Sequence, residues 1–261
     1  MSREDMTAGR IVALIGSARR IAVLTGAGMS AESGIPTFRG DRNGLWARFD
    51  PMALATKEAY YRDKALVWGW YRWRMALVAQ AQPNAGHVAI ARSQSLFERL
   101  DVVTQNVDDL HERAGTRDVV HVHGSLFAIR CLECHEPHAG GPPDPSAAVE
   151  PSLRVEPPPC THCGAPVRPG VVWFGESLPE AAWESAVAAV SHCDALLVVG
   201  TSGVVHPAAG LPELARRRSK PVVEINPEET AISRLANVSW RVSAAVGLPA
   251  LVESLGGSTT R

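Results

Sequence analysis

Four of the chain's five cysteines fall in two close pairs, Cys131-x-x-Cys134 and Cys160-x-x-Cys163, with 25 residues between the pairs. Each pair can offer two thiolates from one tight knuckle, and two such knuckles make a tetrahedral zinc site. Two disulfides would need an oxidising compartment, and a redox dithiol would need one pair rather than two. Four thiolates fill the coordination shell and leave no position for water, so the ion is expected to hold structure rather than react. His135 and His162 adjoin ligands but are surplus to that set. Cys193 precedes the apolar run Ala195 to Gly200 and reads as a small buried hydrophobe rather than a nucleophile.

A second chemistry is suggested by Gly26-Ala27-Gly28-Met29-Ser30-Ala31-Glu32-Ser33-Gly34, directly after the apolar run Ile21 to Thr25. Glycines there let a backbone approach a pyrophosphate, and the N-terminus of a following helix can face its charge. A Gly-x-Gly turn after a strand is as often only a tight connection. A dehydrogenase would continue with a helix, a second strand and an acidic residue about 20 positions on, to hold the adenosine ribose. Here Ile35-Pro36-Thr37-Phe38-Arg39-Gly40 breaks the helical pattern at once and Asp41 to Gly44 reads as loop, so that second strand is missing.

The elements that must position these groups follow from apolar periodicity. Helical spacing runs from about Ala8 to Ala18, and Ile21 to Thr25 reads as a buried parallel strand. Further runs at Asp101 to Thr104, Val119 to Val122, Ala195 to Gly200 and Pro221 to Ile225 are separated mostly by segments long enough for crossover helices, which predicts a parallel α/β sheet. Ligands of such sheets sit beyond the carboxyl ends of the strands. Every predicted strand ends in polar residues: Thr104-Gln105-Asn106-Val107-Asp108-Asp109, His121-Val122-His123-Gly124, Gly200-Thr201-Ser202 and Asn226-Pro227-Glu228. Each has a plain reading, Asp108 or Asp109 as an N-cap, Thr201 and Ser202 as turn residues, Asn226-Pro227 as turn initiation, His123 as a satisfied core histidine. Their joint placement would line one crevice.

Between Pro137 and Pro159 lie eight of the chain's 19 prolines, which excludes a helix or a central strand there. With a cysteine pair on each side, the stretch reads as a long loop on a small module inserted into the larger domain. The 26 basic and 27 acidic residues give a net charge of -1, so nothing in the sequence points to direct nucleic-acid or anionic-lipid binding. No apolar run reaches the length of about 18 residues needed for a membrane span, and the N-terminus lacks a secretory or transit pattern, so the expected location is cytoplasmic.

Taken in order, Gly26 to Arg39, Thr104-Gln105-Asn106-Val107-Asp108, His123-Gly124, the four cysteines, Gly200-Thr201-Ser202 and Asn226-Pro227 resemble the sirtuins, NAD-dependent protein lysine deacylases. The resemblance covers about residues 10 to 250. It implies one catalytic domain: a large Rossmann-like lobe at about 1–35, 84–125 and 170–256, and a smaller lobe from a helical insertion at about 36–83 and a zinc module at about 126–169. NAD and an acylated protein lysine would meet between them. Gly26, Ala27, Gly28, Met29 and Ser30 would hold the phosphates, with Glu32, Ile35 and Pro36 in the same loop. Phe38 and Arg39 would cover the nicotinamide-side ribose, Gln105 would bond it, and Asn106 and Asp108 would line the nicotinamide pocket. Gly200, Thr201, Ser202, Asn226 and Ala244 would surround the adenosine half. His123 would be the general base, with Asn106 and Asp108 beside it, and the products would be nicotinamide, 2'-O-acyl-ADP-ribose and free lysine.

The segment Ala65 to Gln80 carries Trp68, Trp70, Tyr71, Trp73 and Arg74, and helical spacing puts Tyr71 and Arg74 on one face. By itself this is an aromatic packing stripe with an arginine reaching water. Tyr71-x-x-Arg74 with the small Ala55 also resembles the class III sirtuins. That implies an acyl pocket, completed by Val172, Phe174 and Gly175, in which arginine's fork binds the distal carboxylate of succinyl-, malonyl- or glutaryl-lysine. The alternatives are a plain deacetylase, a mono-ADP-ribosyltransferase using the same cleft, and a non-catalytic NAD or ADP-ribose sensor.

Overall fold

The computed structural model describes residues 3–36, 54–144 and 153–258. Six strands, β1 (Arg20–Thr25), β2 (Arg99–Thr104), β3 (Val120–His121), β6 (Ala195–Val199), β7 (Val222–Ile225) and β8 (Val238–Trp240), form one sheet in the order β3-β2-β1-β6-β7-β8. Every pairing in it is parallel. Two further strands, β4 (Gly124–Cys131) and β5 (Val167–Val171), pair antiparallel as a separate hairpin. The remaining main elements are α1 (Arg3–Ile15), α2 (Lys57–Arg62), α3 (Lys64–Gln80), α4 (Ala85–Ser93), α5 (Leu110–Arg113), α6 (Glu180–His192), α7 (Leu211–Arg217) and α8 (Ala244–Ser258).

Alternation along the strands sends neighbouring side chains to opposite faces of the sheet. Ile21, Val23, Val102, Leu197, Val199, Val223 and Ile225 join Ile11 and Ile15 of α1, Ile90 of α4 and Leu248 of α8 in one apolar cluster. Ala22, Leu24, Val103, Leu196, Val198 and Val222 join Val190 of α6 and Leu211 of α7 in another. With both faces covered, these strands read as continuous apolar runs, as parallel strands do. A third cluster lies apart and packs Tyr60, Trp68, Trp70, Tyr71 and Met75 against Leu126, Ile129, Val167 and Trp173 of the hairpin and its exit. Trp68, Trp70 and Trp173 are at most 2% exposed. Hiding a ring of that size is worth about 5 kcal/mol before entropy, so this small cluster can hold the hairpin and α3 together.

The predicted strands are present with small shifts in their ends, and the first helix starts and stops earlier than Ala8 to Ala18, closing where Gly16 donates to the Val12 carbonyl. Residues 137–144 and 153–159 form neither helix nor strand, apart from the isolated bridges Arg130–Pro137 and Pro159–Pro166. The rest of that proline-rich loop lies outside the described residues. Among the described residues, no helix is long and apolar enough to cross a membrane.

Candidate active site

The glycines after β1 serve first to let two chain segments cross. The Gly28 N–H donates to the Gly200 carbonyl at 2.8 Å and the Gly26 N–H to the Val199 carbonyl at 3.1 Å. A methyl group on Gly26 would stand 2.7 Å from the Thr201 Cβ, and one on Gly28 2.8 Å from the Gly200 Cα. Gly200 itself has φ +61, in the left-handed region. Among the described residues of this loop, 26–36, there is no α-helix. Two single 3₁₀ turns, Ala27–Met29 and Ala31–Ser33, take its place, which corrects the expectation of a helix N-terminus facing the phosphates.

The loop residues divide by what their side chains touch. The Met29 side chain is fully buried in the core, its N–H donates to the Gly26 carbonyl and its carbonyl accepts from Asn84 Nδ2. The Glu32 carboxylate accepts the Ala245 N–H at 2.9 Å in the first turn of α8, beside the buried Ala244, and is thereby committed to capping. Ile35 packs on the third cluster, and Ile35 and Pro36 end the described loop. Phe38 and Arg39 lie outside the described residues.

Ser30 is the meeting point below the loop. Its hydroxyl donates to Asp108 Oδ2 at 2.9 Å and accepts from Asn106 Nδ2 at 3.0 Å. Asp108 Oδ1 accepts the Leu110 N–H in an Asx turn one residue ahead of α5's N-cap, which is Asp109 and makes no side-chain cap bond, so neither aspartate caps the helix in the expected way. Burial pushes the Asp108 pKa up, against these two donors. Gln105 Nε2 donates to Thr201 Oγ1 at 2.9 Å and Asn226 Nδ2 to the Thr201 carbonyl at 3.1 Å, which joins the ends of β2, β6 and β7. The Ser202 carbonyl accepts the Ala231 N–H from the loop after β7.

His123, just past β3, holds Nδ1 3.1 Å from the Gln105 carbonyl. A carbonyl can only accept, so Nδ1 carries the proton and Nε2 presents a lone pair. Among the described residues nothing hydrogen-bonds Nε2. Burial lowers the His123 pKa, only partly offset by the Gln105 bond, which keeps the ring neutral near pH 7. The His123 carbonyl accepts the Val172 N–H at 2.8 Å, tying the base to the chain leaving β5.

Two more histidines lie buried beneath the site. His87 Nδ1 accepts the Asn84 N–H, leaving its Nε2–H facing Ser30. His111 Nε2 donates to Thr25 Oγ1, which donates onward to Thr104 Oγ1, and His111 Nδ1 is buried without a partner. Burial lowers His87 to about 4 and His111 to about 3. Folded-state values below the ordinary 6.5 mean that the unfolded chain binds protons first, so their stabilisation is complete above pH 6.5 and is lost as pH falls. Each ring should then cost about 2 kcal/mol between pH 6.5 and 5. Urea midpoints at pH 7 and pH 5 should differ in the wild type and differ less in His111→Gln; equal slopes for the two proteins would refute the assignment.

The residues expected around the acyl chain are brought together by the loop leaving β5. The Phe174 N–H donates to the Ala55 carbonyl at 2.9 Å, and Gly175 has φ +84. Tyr71 and Arg74 share one face of α3, the guanidinium 5.6 Å from the Tyr71 ring centroid and 4.9 Å from that of Trp70. Neither side chain simply reaches water: Tyr71 is 1% exposed and Arg74 is partly buried, with its pKa lowered by burial.

The four cysteine sulfurs all lie within 4.8 Å of one another, and none is in a disulfide. Cys131–Cys163 and Cys134–Cys160 separations of 3.5 and 3.7 Å match the edge of about 3.8 Å of a tetrahedron with zinc–sulfur bonds near 2.3 Å. The donor set fits one structural zinc ion. Cys193 is 2% exposed and burial lifts its thiol to about 11, so it stays protonated.

Three residues absent from the sequence reading turn out to build the site. Asn84 caps α4 through its Oδ1 while its Nδ2 holds the Met29 carbonyl and Ser33 hydroxyl; Pro83-Asn84 before a helical pattern was a readable cap signal. Glu224, 1% exposed, accepts from Thr230, Ser233, Ser239 and Arg241 and thereby orders the chain after Asn226. His111 gave no signal beyond its residue type.

Fold and site together define a class: Rossmann-like α/β proteins with a zinc-binding module inserted after the third strand. A family model described as the Sir2 family matches residues 26–207. An NAD-dependent protein deacylase of Mycobacterium tuberculosis (strain ATCC 25618 / H37Rv) is 55% identical over 236 residues, 90% of this chain and 98% of the relative. A Sir2 homologue solved as a complex with NAD is 43% identical with a TM-score of 0.86, covering 97% of this chain and 95% of that one. A triply substituted Sir2 homologue bound to 2'-O-acetyl-ADP-ribose is 40% identical with a TM-score of 0.87, covering 100% and 99%. The chain belongs to the Sir2 family.

Proposed function

We infer that this chain is an NAD-consuming protein-lysine deacylase, and we propose that it removes succinyl, malonyl and glutaryl groups as well as acetyl. The first statement is supported by the deacylase relatives and by neighbours solved with NAD and with an acyl-ADP-ribose. The second is carried by the placement of Tyr71 and Arg74 on one face of α3, beside the chain that runs from Trp173 to Phe174 and Ala55.

We read the cleft as lying between the lobe at 1–35, 84–125 and 170–256 and the smaller one at 36–83 and 126–169, with acylated protein lysines as partners. NAD, when bound, supplies a ribose carbon that loses nicotinamide and gains the acyl oxygen. The Gly26–Ser30 backbone would hold the phosphates, and Thr201, Ser202, Asn226 and the start of α8 at Ala244 the adenosine half. Gln105, anchored on Thr201, would fix the ribose. Asn106 and Asp108, cross-linked through Ser30, would shape the nicotinamide pocket as one unit. His123 takes a proton at Nε2, because Nδ1 is committed to Gln105 and burial keeps the ring neutral. Val172, Phe174 and Gly175 would flank the acyl-lysine, excluding water from the reacting atoms.

Deacylation of matched succinyl- and acetyl-peptides tests this reading. A charge-assisted fork on a carboxylate is worth about 10- to 100-fold, so Arg74→Met should lower succinyl kcat/KM by that factor while acetyl changes little. Unchanged succinyl turnover in Arg74→Met would remove the acidic-acyl assignment and leave the deacylase standing.

A further inference from the structure

Trp173 touches Tyr71 through a bond with a fixed direction. Its indole Nε1–H donates to the Tyr71 hydroxyl at 2.9 Å in a fully buried setting. An indole N–H can only donate, so the phenol oxygen accepts there, and the Arg74 guanidinium, 5.6 Å from the Tyr71 ring centroid, is likewise a donor only. With the indole N–H on its acceptor side, the phenol's own proton points away from Trp173, and among the described residues no hydrogen bond from it is seen.

The indole is held in turn. Its backbone N–H donates to Glu176 Oε2 at 2.9 Å, and its face is covered by the Arg168 guanidinium 3.4 Å from the ring centroid. Arg168, 2% exposed, is itself paired with Glu176 and bonded to the Val171 carbonyl. The Tyr60 ring packs 5.2 Å from the indole. Rotation of the indole away from Tyr71 would give up its contacts with the Arg168 guanidinium and the Tyr60 ring.

We propose that Trp173 is a positioning residue for acyl-group choice: its N–H occupies the acceptor side of the Tyr71 hydroxyl and so aims the phenol proton, with Arg74, at an acceptor-only group on the acyl chain. This rests on the acidic-acyl reading above. A carboxylate satisfies both donors, whereas an acetyl methyl leaves the phenol proton unpaired, which a buried site tolerates poorly. The preference is thus set partly by a residue that never meets the substrate.

The test combines Trp173→Phe, Tyr71→Phe, the double variant and Arg74→Met, assayed with succinyl- and acetyl-peptides, and the indole ¹H-¹⁵N resonance of Trp173. Trp173→Phe is expected to lower succinyl kcat/KM about 5- to 10-fold with acetyl changed less than about 3-fold. In the Tyr71→Phe background the same substitution should leave the succinyl-to-acetyl ratio unchanged, and Tyr71→Phe should shift the Trp173 indole resonance. That resonance reads the bond without relying on activity, should Trp173→Phe fold poorly. An unmoved resonance, an equal fall for both peptides, or a full effect of Trp173→Phe in the Tyr71→Phe background would each overturn the proposal. When Arg74→Met abolishes the succinyl preference and any of these also occurs, only the Trp173 role fails. Should Arg74→Met keep full succinyl turnover, the acidic-acyl reading fails and this role falls with it.

Discussion

His123→Ala should lower kcat for deacylation by about 10²- to 10⁴-fold, the usual worth of a positioned general base. NAD affinity, measured by calorimetry, should change little, because the contacts proposed for the Gly26 loop, the Gln105 side chain and Thr201 do not involve the imidazole. The wild-type kcat/KM should fall as pH drops through the His123 pKa, and burial places that fall below the ordinary 6.5. The limb should vanish in the variant. A His123→Ala protein within a few fold of wild type would mean that some other group accepts the proton.

Removing the zinc should have the largest structural effect. Cys131 ends β4, the Cys160 N–H donates to the Ala165 carbonyl while its own carbonyl accepts the Gly164 N–H across the second knuckle, and β5 leads directly into Val172, Trp173 and Phe174. Without four thiolates gathered on an ion, their mutual repulsion opens the hairpin and releases that chain. Cys160→Ser, or prolonged chelation, is expected to lower Tm by about 10 °C or more and to abolish deacylation together with it. Metal content by elemental analysis should fall from one zinc per chain to none. A zinc-free protein with wild-type Tm and kcat would show the cysteines to be dispensable.

Sequence periodicity located β1, β2, β6 and β7 because both of their faces are buried and the apolar runs are unbroken. It passed over β8, where Val238-Ser239-Trp240 is too short to show a pattern, and over the β4–β5 hairpin, whose second strand contains Pro169 and Gly170. Types and spacing alone announced the zinc ligands, since metal geometry constrains neighbours along the chain. The Thr25–Thr104 and Ser30–Asp108 bonds join residues 79 and 78 positions apart, and no local pattern foretells them. Tyr71 was legible as a neighbour of Arg74, but the donor behind its hydroxyl lies 102 residues away.

The crossing of Gly26 and Gly28 on Val199 and Gly200 also bears on timing. A loop built of glycines ordinarily loses a great deal of conformational freedom when a ligand orders it. Here backbone bonds to the neighbouring strand end fix the turn when the chain folds, so that loss is charged to folding and not to capture of the dinucleotide. The end of the site proposed for the phosphates is ready before a ligand arrives. Association at that end should resemble the docking of two rigid bodies, with a rate set by diffusion and charge.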